Sequence, residues 1–255
     1  MKGPHFERGL RFMRDRFHPE NYLGLRLTIG LLAMVLGGWS FSEVAEGLGP
    51  SEELAAVDQE VAGWFYQRTR PPLTAFARIV TSLGSVGFLI AASVVSGLFL
   101  VRRRSWDWLL ALVLTMGGGS LLNVMLKHFF HRQRPVFENP LVTLTSFGFP
   151  SGHTMGSTLF FGLLAIIAAH TLKPWRWRLV AVATACLLVA AIGLTRIYLG
   201  AHYLSDVLAA LAAGLVWLAF CWTTVETFRR RREEQAKNAA PVRATCMEPR
   251  SNQAQ

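Results

Sequence analysis

The stretch 83–101 of the chain, LGSVGFLIAASVVSGLFLV, contains no charged residue. A helix needs about 20 predominantly apolar residues to cross the hydrocarbon core of a bilayer, so this stretch is long enough to span one. Five further stretches share its apolar character, the fourth of them being the shortest: 23–41, 105–126, 154–172, 179–195 and 203–222. The sequence therefore predicts an all-α protein, with a six-transmembrane helical bundle over residues 23–222.

The overall composition is typical of a membrane protein and excludes several other classes. Hydrophobic residues make up 52% of the 255 residues and charged residues only 16%, yet the net charge is +10. A disordered chain would contain far fewer apolar residues, and a nucleic-acid-binding domain would explain the charge but not the apolar content. We therefore expect membrane lipids as partners and no nucleic acid. Cys186, Cys221 and Cys246 are too few for a disulfide framework, and we expect them to be inert.

Lysine and arginine are distributed unevenly between the two sides that six spans define. Nineteen of the 26 fall in the N-terminal segment, the turns after the second and fourth spans and the C-terminal tail, and seven fall on the opposite side. Cytoplasmic loops of membrane proteins carry the excess of Lys and Arg. We therefore expect a multi-pass protein of the cell (inner) membrane with both termini in the cytoplasm.

The two terminal segments are both basic. Segment 1–22 carries four apolar residues on one helical stripe: Phe6, Leu10, Met13 and Phe17. This stripe favours a helix lying on an anionic membrane surface, with a frayed tail as the alternative. The tail 223–255 is polar and contains proline from about residue 229 onward, which predicts disorder.

The segment 42–82 is the longest predicted segment outside the membrane on the side opposite the termini. Its first part is acidic, and Pro71-Pro72 interrupts it. Between them, five apolar residues lie on one helical face: Leu54, Val57, Val61, Trp64 and Phe65. This pattern predicts an amphipathic interfacial helix. Two roles are open for it, a gate at a lipid entrance or packing without any part in substrate binding.

Polar and ionisable residues form three clusters at the ends of predicted spans, all on the side opposite the termini. They are KHFFHRQRP (127–135), PSGH (150–153) and TRIYLGAHYLSD (195–206). Each cluster alone is explained more simply by headgroup anchoring or an ordinary loop. Their combination at one depth favours a functional site, since ionisable residues at the membrane boundary are costly.

The first and third clusters contribute cations, and the second contributes a helix N-terminus. Lys127, Arg134 and Arg196 suit phosphate oxygens, because a guanidinium offers forked donors and an ammonium a point charge. Ser151 stands where a helix N-cap belongs, and Gly152 beside it offers a backbone N–H with no side chain in the way. Because a helix N-terminus is a natural anion site, the sequence predicts a phosphate-binding site at the outer face.

Two histidines and one aspartate suggest a catalytic group next to these cations. His202 and Asp206 are four residues apart, which places one above the other if the sixth helix begins there. A carboxylate bonded to one imidazole nitrogen leaves the other nitrogen free to attack. His153 lies in the first turn of the fourth span and points to the same place. We expect one histidine to be the nucleophile and the other the acid that protonates the leaving group.

A metal site fits these residues less well. Magnesium-dependent phosphatases need several carboxylates, but only Glu138 and Asp206 lie near the clusters. Four histidines could serve as zinc ligands: His128, His131, His153 and His202. The three neighbouring cations would repel a metal ion and attract an anion. We therefore expect a site without a metal ion.

The three clusters resemble the signature of the type 2 phosphatidic acid phosphatase (PAP2) superfamily, which also includes the vanadium haloperoxidases. The family pattern is K-x6-R-P, then P-S-G-H, then S-R-x5-H-x3-D, and the matching residues follow in the same order within about 80 positions. One position departs from the pattern, since Thr195 stands where the family usually has serine. The resemblance implies the all-α bundle of the PAP2 and haloperoxidase type.

The resemblance also implies a role for each residue. His202 would attack phosphorus and form a phosphohistidine, Asp206 would orient it, and His153 would protonate the leaving oxygen and later activate water. The phosphate oxygens would be held by the remaining residues: Lys127, Arg134, Ser151, Gly152 and Arg196. The resemblance implies a reaction without a metal ion, and we expect no cofactor.

The six spans resemble the lipid phosphate phosphatases within this superfamily, so we expect an enzyme that removes phosphate from lipid phosphates at the outer membrane face. Phosphatidate and undecaprenyl pyrophosphate are the leading candidate substrates. The motifs bind phosphate rather than the lipid tail, and they leave the oligomeric state open. Two alternatives stand beside this hypothesis. A vanadate-dependent haloperoxidase would have no use for six spans, and a non-catalytic lipid-phosphate binding or transport protein would have no use for an intact catalytic set.

Overall fold

The computed structural model describes residues 22–48 and 52–246, with side chains over 27–48 and 53–232. These residues form nine α-helices and no β-strand, in the order α1 Tyr22–Glu46, α2 Glu52–Gln67, α3 Pro71–Ser82, α4 Val86–Arg102, α5 Trp106–Val113, α6 Gly119–Phe130, α7 Gly152–Thr171, α8 Trp175–Tyr198 and α9 Leu204–Cys246. A π-helical turn, Leu114–Gly118, joins α5 to α6. The predicted all-α class is confirmed. The predicted surface helix containing Phe6 and Phe17 lies outside the described residues.

The helices supply six candidate membrane spans. Five stretches are long and apolar enough on their own: Leu27–Glu46, Trp106–Phe130, Gly152–Thr171, Trp175–Tyr198 and Leu204–Arg232. Helices α3 and α4 are bent by 40° at a short break and qualify together as a sixth. The six predicted spans therefore correspond to five single helical stretches and one bent pair.

The bend between α3 and α4 depends on a glycine. A Cβ atom at Gly84 would lie 2.8 Å from Ile192 Cγ2 and 2.9 Å from Ser157 Oγ, so a larger residue would push the turn away from α7 and α8. Ser85 then caps α4, because its hydroxyl accepts a hydrogen bond from Phe88 N at 3.3 Å. The helical part of the second span accordingly begins at Val86 and not at residue 83.

The π-helical turn coincides with three consecutive glycines. A Cβ atom at Gly118 would lie 2.3 Å from Trp217 Cζ2, and one at Gly119 would lie 2.2 Å from Leu159 Cδ1. These two glycines therefore let α9 and α7 approach closely, and Trp217 Nε1 donates to Leu114 O at 3.2 Å across the same contact. Gly117 faces open space, where an added Cβ would meet nothing within 4 Å.

Helix α7 is central in the bundle. It packs against α6, α8 and α9, and of its 20 residues eight are buried and only Leu164 and Thr171 are exposed. Large apolar side chains on the peripheral helices are instead more than half exposed, among them Val95 and Leu98 on α4 and Leu187 on α8. Such exposure suits a hydrocarbon environment. The central position of α7 brings its N-terminus into the interior of the protein.

The segment before α4 forms the predicted amphipathic helix and a second short helix. Helix α2 ends at Gln67, and Pro71 starts α3 at a position where a missing N–H costs no hydrogen bond. The buried face of α2 differs from the prediction. Val57 and Trp64 are about half exposed, whereas Asp58 is 1% exposed and Ala62 is 3% exposed. Phe65 is partly buried against Ala77, Tyr198 and Leu199, so the buried face of α2 is the predicted stripe rotated toward Asp58 and Ala62.

The last two helices extend beyond their predicted ends. Helix α8 begins at Trp175, four residues earlier than the predicted fifth span. The tail was predicted to be disordered from about residue 229, but α9 continues to Cys246. The physical reason lies in its sequence RRRREEQAKNAA (229–240), which is rich in strong helix formers, and in the pairing of Glu226 with Arg230 at 2.8 Å.

Candidate active site

The structure brings the three polar clusters together at one end of the bundle. We call this the site end: the C-terminus of α6, the loop 131–151, the N-terminus of α7 and the segment 196–206. Ser151 N donates to Asp206 O at 3.1 Å, and His202 N donates to Arg196 O at 3.2 Å. The first of these hydrogen bonds joins the second cluster to the third, and the second closes the turn within the third cluster.

Ser151 and Gly152 form the N-terminus of α7 as predicted. Ser151 is the N-cap, fully buried, and its hydroxyl accepts from Thr154 N at 3.5 Å and from Thr154 Oγ1 at 3.1 Å. A Cβ atom at Gly152 would lie 3.3 Å from Asn123 Oδ1 and 3.9 Å from Lys127 Cε. The helix N-terminus, with backbone N–H groups that lack intrahelical partners, therefore lies against the end of α6 that carries Lys127.

His202 lies between a carboxylate and a guanidinium. Its Nδ1 is 3.3 Å from Asp206 Oδ2, and its Nε2 is 3.0 Å from an Nη atom of Arg134. A guanidinium has donors only, so Nε2 accepts, and the proton of the neutral ring is on Nδ1. Burial lowers the pKa of His202 to about 4, against the opposing effect of Asp206. The ring is therefore neutral at physiological pH, with its lone pair on Nε2.

Asp206 is fully buried and has a partner for each carboxylate oxygen. Oδ2 accepts from Tyr203 N at 2.9 Å and faces His202, as the spacing of four residues predicted. Oδ1 accepts from an Nη atom of Arg132 at 2.6 Å. Because both oxygens are bonded, the carboxylate holds the Nδ1 side of the His202 ring in one orientation.

Lys127 and Arg134 are anchored to the same loop. Lys127 Nζ donates to Phe147 O at 2.6 Å, and Arg134 donates to Phe147 O at 3.1 Å and through Nε to Ser146 O at 2.7 Å. Arg134 also donates to Ala201 O at 2.6 Å, next to His202. Two of the predicted cations are thus held beside the imidazole by main-chain acceptors.

Arg196 is a buried cation without a carboxylate partner among the described contacts. It is 3% exposed, and one Nη atom donates to Thr81 Oγ1 at 3.1 Å. Its Nε has no hydrogen-bond partner among the described residues. A buried guanidinium with an unsatisfied N–H is costly, which is the arrangement expected of a residue that binds an anion.

His153 lies in the first turn of α7, where it was predicted. Its carbonyl accepts from Ser157 Oγ at 2.6 Å. The ring is within electrostatic reach of four groups: Arg196, His202, Arg134 and Lys127. The second histidine therefore lies in the same cluster as the first.

Thr195, which departs from the family pattern, and the possible zinc ligands His128 and His131 each contact main-chain carbonyls near them in the sequence. Thr195 donates its hydroxyl to Ile192 O at 2.6 Å, within its own helix. His128 and His131 have ring nitrogens next to main-chain carbonyls of α6, at 2.8 and 3.4 Å. Over residues 27–48 and 53–232, whose side chains the structure describes, no group of three or more His, Cys, Asp or Glu side chains is arranged to hold a metal ion.

Two residues beside Asp206 were not singled out from the sequence. Arg132 donates to Asp206 and also to Asp58 Oδ2 at 2.6 Å, so that α2 contacts the site. One signal was available for Asp58. It lies four residues after Leu54 and seven before Phe65, so a carboxylate interrupts the apolar stripe of the predicted amphipathic helix.

An apolar cavity of about 490 Å³ extends from the site end into the bundle. It is lined by α4, α6, α7 and the π-helical turn. At one end are Asn123 and Gly152, next to Lys127, and at the other are Gly117, Met116 and Leu159. Three lining residues of α4, Val86, Ile90 and Val94, are more than half exposed, so the cavity opens on the outer surface of the bundle and leads along it to the polar site.

Known proteins share this sequence pattern and this fold. The model of the PAP2 superfamily matches residues 108–230. Phosphatidylglycerophosphatase B of Bacillus subtilis is 36% identical over 140 residues, which are 54% of this chain and 68% of the relative. Decaprenylphosphoryl-5-phosphoribose phosphatase of Mycobacterium tuberculosis is 30% identical over 156 residues, 57% of this chain and 76% of the relative.

Two crystal structures are similar to this one. The transmembrane PAP2 type phosphatidylglycerolphosphate phosphatase of Bacillus subtilis has a TM-score of 0.68 and 29% identity, over 78% of this chain and 96% of that one. LpxE of Aquifex aeolicus has a TM-score of 0.52 and 25% identity, over 65% of this chain and 94% of that one. With the three clusters in the family's order and brought together at one end of the bundle, the chain belongs to the PAP2 superfamily and is a multi-pass membrane lipid phosphatase.

Proposed function

We propose that the enzyme removes phosphate from lipid phosphates such as phosphatidate or undecaprenyl pyrophosphate, through a phosphohistidine intermediate and without a metal ion. One observation carries the proposal. His202 presents a neutral Nε2 to Arg134, with Arg196 within electrostatic reach, while Asp206 holds its Nδ1–H. A neutral imidazole with an oriented lone pair is a nucleophile, and the cations select a phosphorus centre as its target.

The first step forms a bond between His202 Nε2 and phosphorus and breaks the bond from phosphorus to the lipid oxygen. His153 donates a proton to that oxygen, so the alcohol or lipid phosphate leaves neutralised. In the second step His153 takes a proton from water, the water oxygen attacks phosphorus, and the bond to Nε2 breaks. Inorganic phosphate leaves and both histidines return to their starting forms.

The cations and the N-terminus of α7 hold the phosphate oxygens in this proposal. Lys127, Arg134 and Arg196 lie within electrostatic reach of one another and repel, so a bound phosphate would relieve that repulsion. The unpartnered Nε of Arg196 and the backbone N–H of Gly152 are donors for the phosphate oxygens. Phosphoryl transfer depends mainly on this kind of positioning and charge neutralisation.

The cavity supports a substrate with a long apolar chain. Its lining on α7 runs from Gly152 to Leu159, a rise of about 10 Å at roughly 1.5 Å per residue. Its contacts are apolar, so a hydrocarbon chain that enters it leaves the phosphate at the site end. Two relatives are named for lipid phosphates, a phosphatidylglycerophosphatase and a decaprenylphosphoryl-phosphoribose phosphatase, and both names fit a phosphate on a long chain.

We further propose that the site end faces the periplasm or the cell exterior and that both termini are cytoplasmic. Nineteen of 26 Lys and Arg residues on the opposite side support this orientation. A membrane-impermeant maleimide should label Glu138→Cys in intact cells and should not label Arg178→Cys, since these positions lie at opposite ends of the bundle. The reverse labelling pattern would show that the orientation is inverted.

A phosphate-release panel on purified protein tests the reaction and the substrate class. The panel contains phosphatidate, phosphatidylglycerol phosphate, undecaprenyl pyrophosphate and lipid A phosphates, each with and without EDTA. We expect turnover of at least one substrate, unchanged by the chelator. Strong inhibition by EDTA would contradict the metal-free mechanism, and bromide oxidation with vanadate in place of phosphate release would favour a haloperoxidase.

The variant His202→Ala tests the nucleophile. We expect phosphate release to fall at least about 10³-fold, because the loss of a nucleophile removes the covalent route. His128→Ala is the matched control, since His128 is exposed and bonded to its own helix. The thermal shift produced by inorganic phosphate should persist in both variants, and full activity of His202→Ala would refute the mechanism.

A further inference from the structure

Asp58 on α2 is almost fully buried at the site end. It is 1% exposed, and its carboxylate accepts from Ser205 N at 3.0 Å, from Ser205 Oγ, and from an Nη atom of Arg132 at 2.6 Å. A buried carboxylate loses its hydration, and the loss is offset only where partners of this kind are in place. The three donors to Asp58 therefore fix the position of α2 against the start of α9.

Asp58 completes the capping of α9. Leu204 is the first helical residue, so Tyr203 occupies the N-cap position, which is normally taken by a side chain with an acceptor oxygen. Asp206, three residues later, accepts from Tyr203 N at 2.9 Å and provides one half of a capping box. Asp58 accepts from Ser205 N and provides the other half from a different helix. It thereby holds the turn that carries Asp206.

Arg132 connects Asp58 to Asp206. One Nη atom donates to Asp58 Oδ2 and the other to Asp206 Oδ1, both at 2.6 Å, and the guanidinium lies over the Tyr203 ring at 4.8 Å. Although burial acts in the opposite direction, Asp206 and Asp58 raise the pKa of Arg132 above its ordinary value. Because Oδ1 of Asp206 is occupied by Arg132, Oδ2 is the oxygen that faces His202 Nδ1.

We propose that Asp58 and Arg132 are positioning residues of the reaction, with Asp58 holding Arg132 and the first turn of α9, and Arg132 directing Asp206 toward His202. This inference rests on the proposed function, because it assigns His202 as nucleophile. It also gives α2 a part in the chemistry, although α2 lies outside the region 108–230 that the family model matches.

The variants Arg132→Gln and Arg132→Lys separate positioning from simple support of the fold. Glutamine removes the positive charge and the pair of Nη donors that bridges the two carboxylates. We expect kcat to fall about 10- to 100-fold, the range for residues that orient a reacting group. Lysine keeps the charge but cannot bridge two carboxylates with two fixed donors, so we expect a smaller loss. KM should change little in either variant, because Lys127, Arg134 and Arg196 are retained.

The pH profile of kcat/KM in the Arg132 variants distinguishes positioning from support of the fold, because a residue that only supports the fold would leave the acid limb in place. The charged or titratable groups that face His202 are Asp206 on α9, Arg134 in the loop, Arg196 on α8 and His153 on α7. Without the Arg132 charge, Asp206 is less neutralised and favours the protonated imidazole. The acid limb of kcat/KM should therefore move to higher pH in Arg132→Gln and stay in place in Arg132→Lys.

Asp58→Asn and the double variant test whether Asp58 acts through Arg132. We expect Asp58→Asn to lower kcat on the order of 10-fold and Asp58→Asn/Arg132→Gln to be no worse than Arg132→Gln alone. Glu226→Gln is the matched control, a carboxylate 5% exposed and paired with arginine on the part of α9 distant from the site end. It should leave kcat and the pH profile unchanged.

The outcomes are separable from the proposed function. If the unmodified enzyme hydrolyses no lipid phosphate, the proposed function itself fails. If it does, full kcat with an unshifted acid limb in Arg132→Gln, or losses that multiply in the double variant, would overturn the positioning role. The thermal shift caused by inorganic phosphate shows that each variant is folded. Should Arg132→Gln fail to fold, kcat equal to that of the unmodified enzyme in both Arg132→Lys and Asp58→Asn overturns the inference.

Discussion

An Nη atom of Arg134 donates a hydrogen bond to His202 Nε2 at 3.0 Å, so the nitrogen that we propose as the nucleophile is held by a cation that we propose to bind the phosphate. A phosphate oxygen is a stronger acceptor for a guanidinium than an imidazole nitrogen, because it carries charge. Substrate binding would therefore draw Arg134 toward the phosphate and release the lone pair of Nε2 next to phosphorus. The two events are coupled through one side chain.

The pH dependence of the reaction should report the buried state of His202. Burial lowers the pKa of His202 to about 4, so the ring is neutral above that pH and becomes protonated, and inactive as a nucleophile, as the pH falls through it. We expect kcat/KM, which reports the free enzyme, to lose activity near pH 4 and not near the ordinary value of about 6.5. An acid limb at pH 6 or above would contradict this assignment.

Replacement of Arg196 by glutamine should weaken phosphate binding. The residue is 3% exposed, and its Nε has no partner among the described residues. Because a hydrogen bond to a charged group contributes about 1.5 to 3 kcal/mol, we expect kcat/KM to fall about 10- to 100-fold. Arg178→Gln, at the opposite end of the bundle, is the control. An unchanged KM and kcat for Arg196→Gln would remove this residue from the site.

His153→Ala should distinguish a proton donor from a residue that only fills space. With a lipid phosphate, whose alcohol leaves poorly, we expect a loss of roughly 10²- to 10⁴-fold. With p-nitrophenyl phosphate, whose leaving group needs no proton, the variant should release one nitrophenol per site in a burst and then turn over slowly. Equal losses on both substrates without a burst would show that His153 is not the acid.

Gly117→Phe should shorten the chains that the enzyme accepts. Gly117 lines the cavity, and an added Cβ meets nothing within 4 Å, so the ring can enter without displacing the backbone. At about 0.8 kcal/mol per methylene, two displaced methylenes would lower kcat/KM roughly 15-fold for long-chain phosphatidate and leave a short-chain form unaffected.

Gly38→Phe on α1 is the matched control for that variant. An added Cβ at Gly38 also meets nothing within 4 Å, and Gly38 does not line the cavity. If both variants behave alike, or if Gly117→Phe affects short and long chains equally, the cavity does not hold the substrate chain.

Much of the fold and of the site follows from local features of the sequence. Runs of about 20 apolar residues predict spans, because an unpaired backbone cannot cross a bilayer. The pairing of His202 with Asp206 follows from their spacing on a helix, and the N-cap role of Ser151 follows from its position before an apolar run. These features depend on residues within one span or one helical turn, and a sequence shows such neighbours directly.

Other features were decided by contacts between distant segments. Asp58 and Ser205 are 147 positions apart, and Arg132 lies 74 positions from both Asp58 and Asp206, so no local pattern joins them. The bend at Gly84 and the open space at Gly117 likewise depend on which helices pack there. The length of α9 differs from the prediction for a local reason. Residues 229–240 are polar and basic, which predicts disorder, but they are also strong helix formers, and the helix continues to Cys246.

The sequence by itself determined the helical spans, the basic side and the residue types that we propose for phosphate binding, because each depends on composition over one span or one turn. Tertiary structure decided which carboxylate orients which cation, where the cavity lies and which face of α2 is buried. The physical reason is that burial and the pairing of charges are properties of the packed bundle. A carboxylate such as Asp58 becomes part of the site only when another helix supplies its donors.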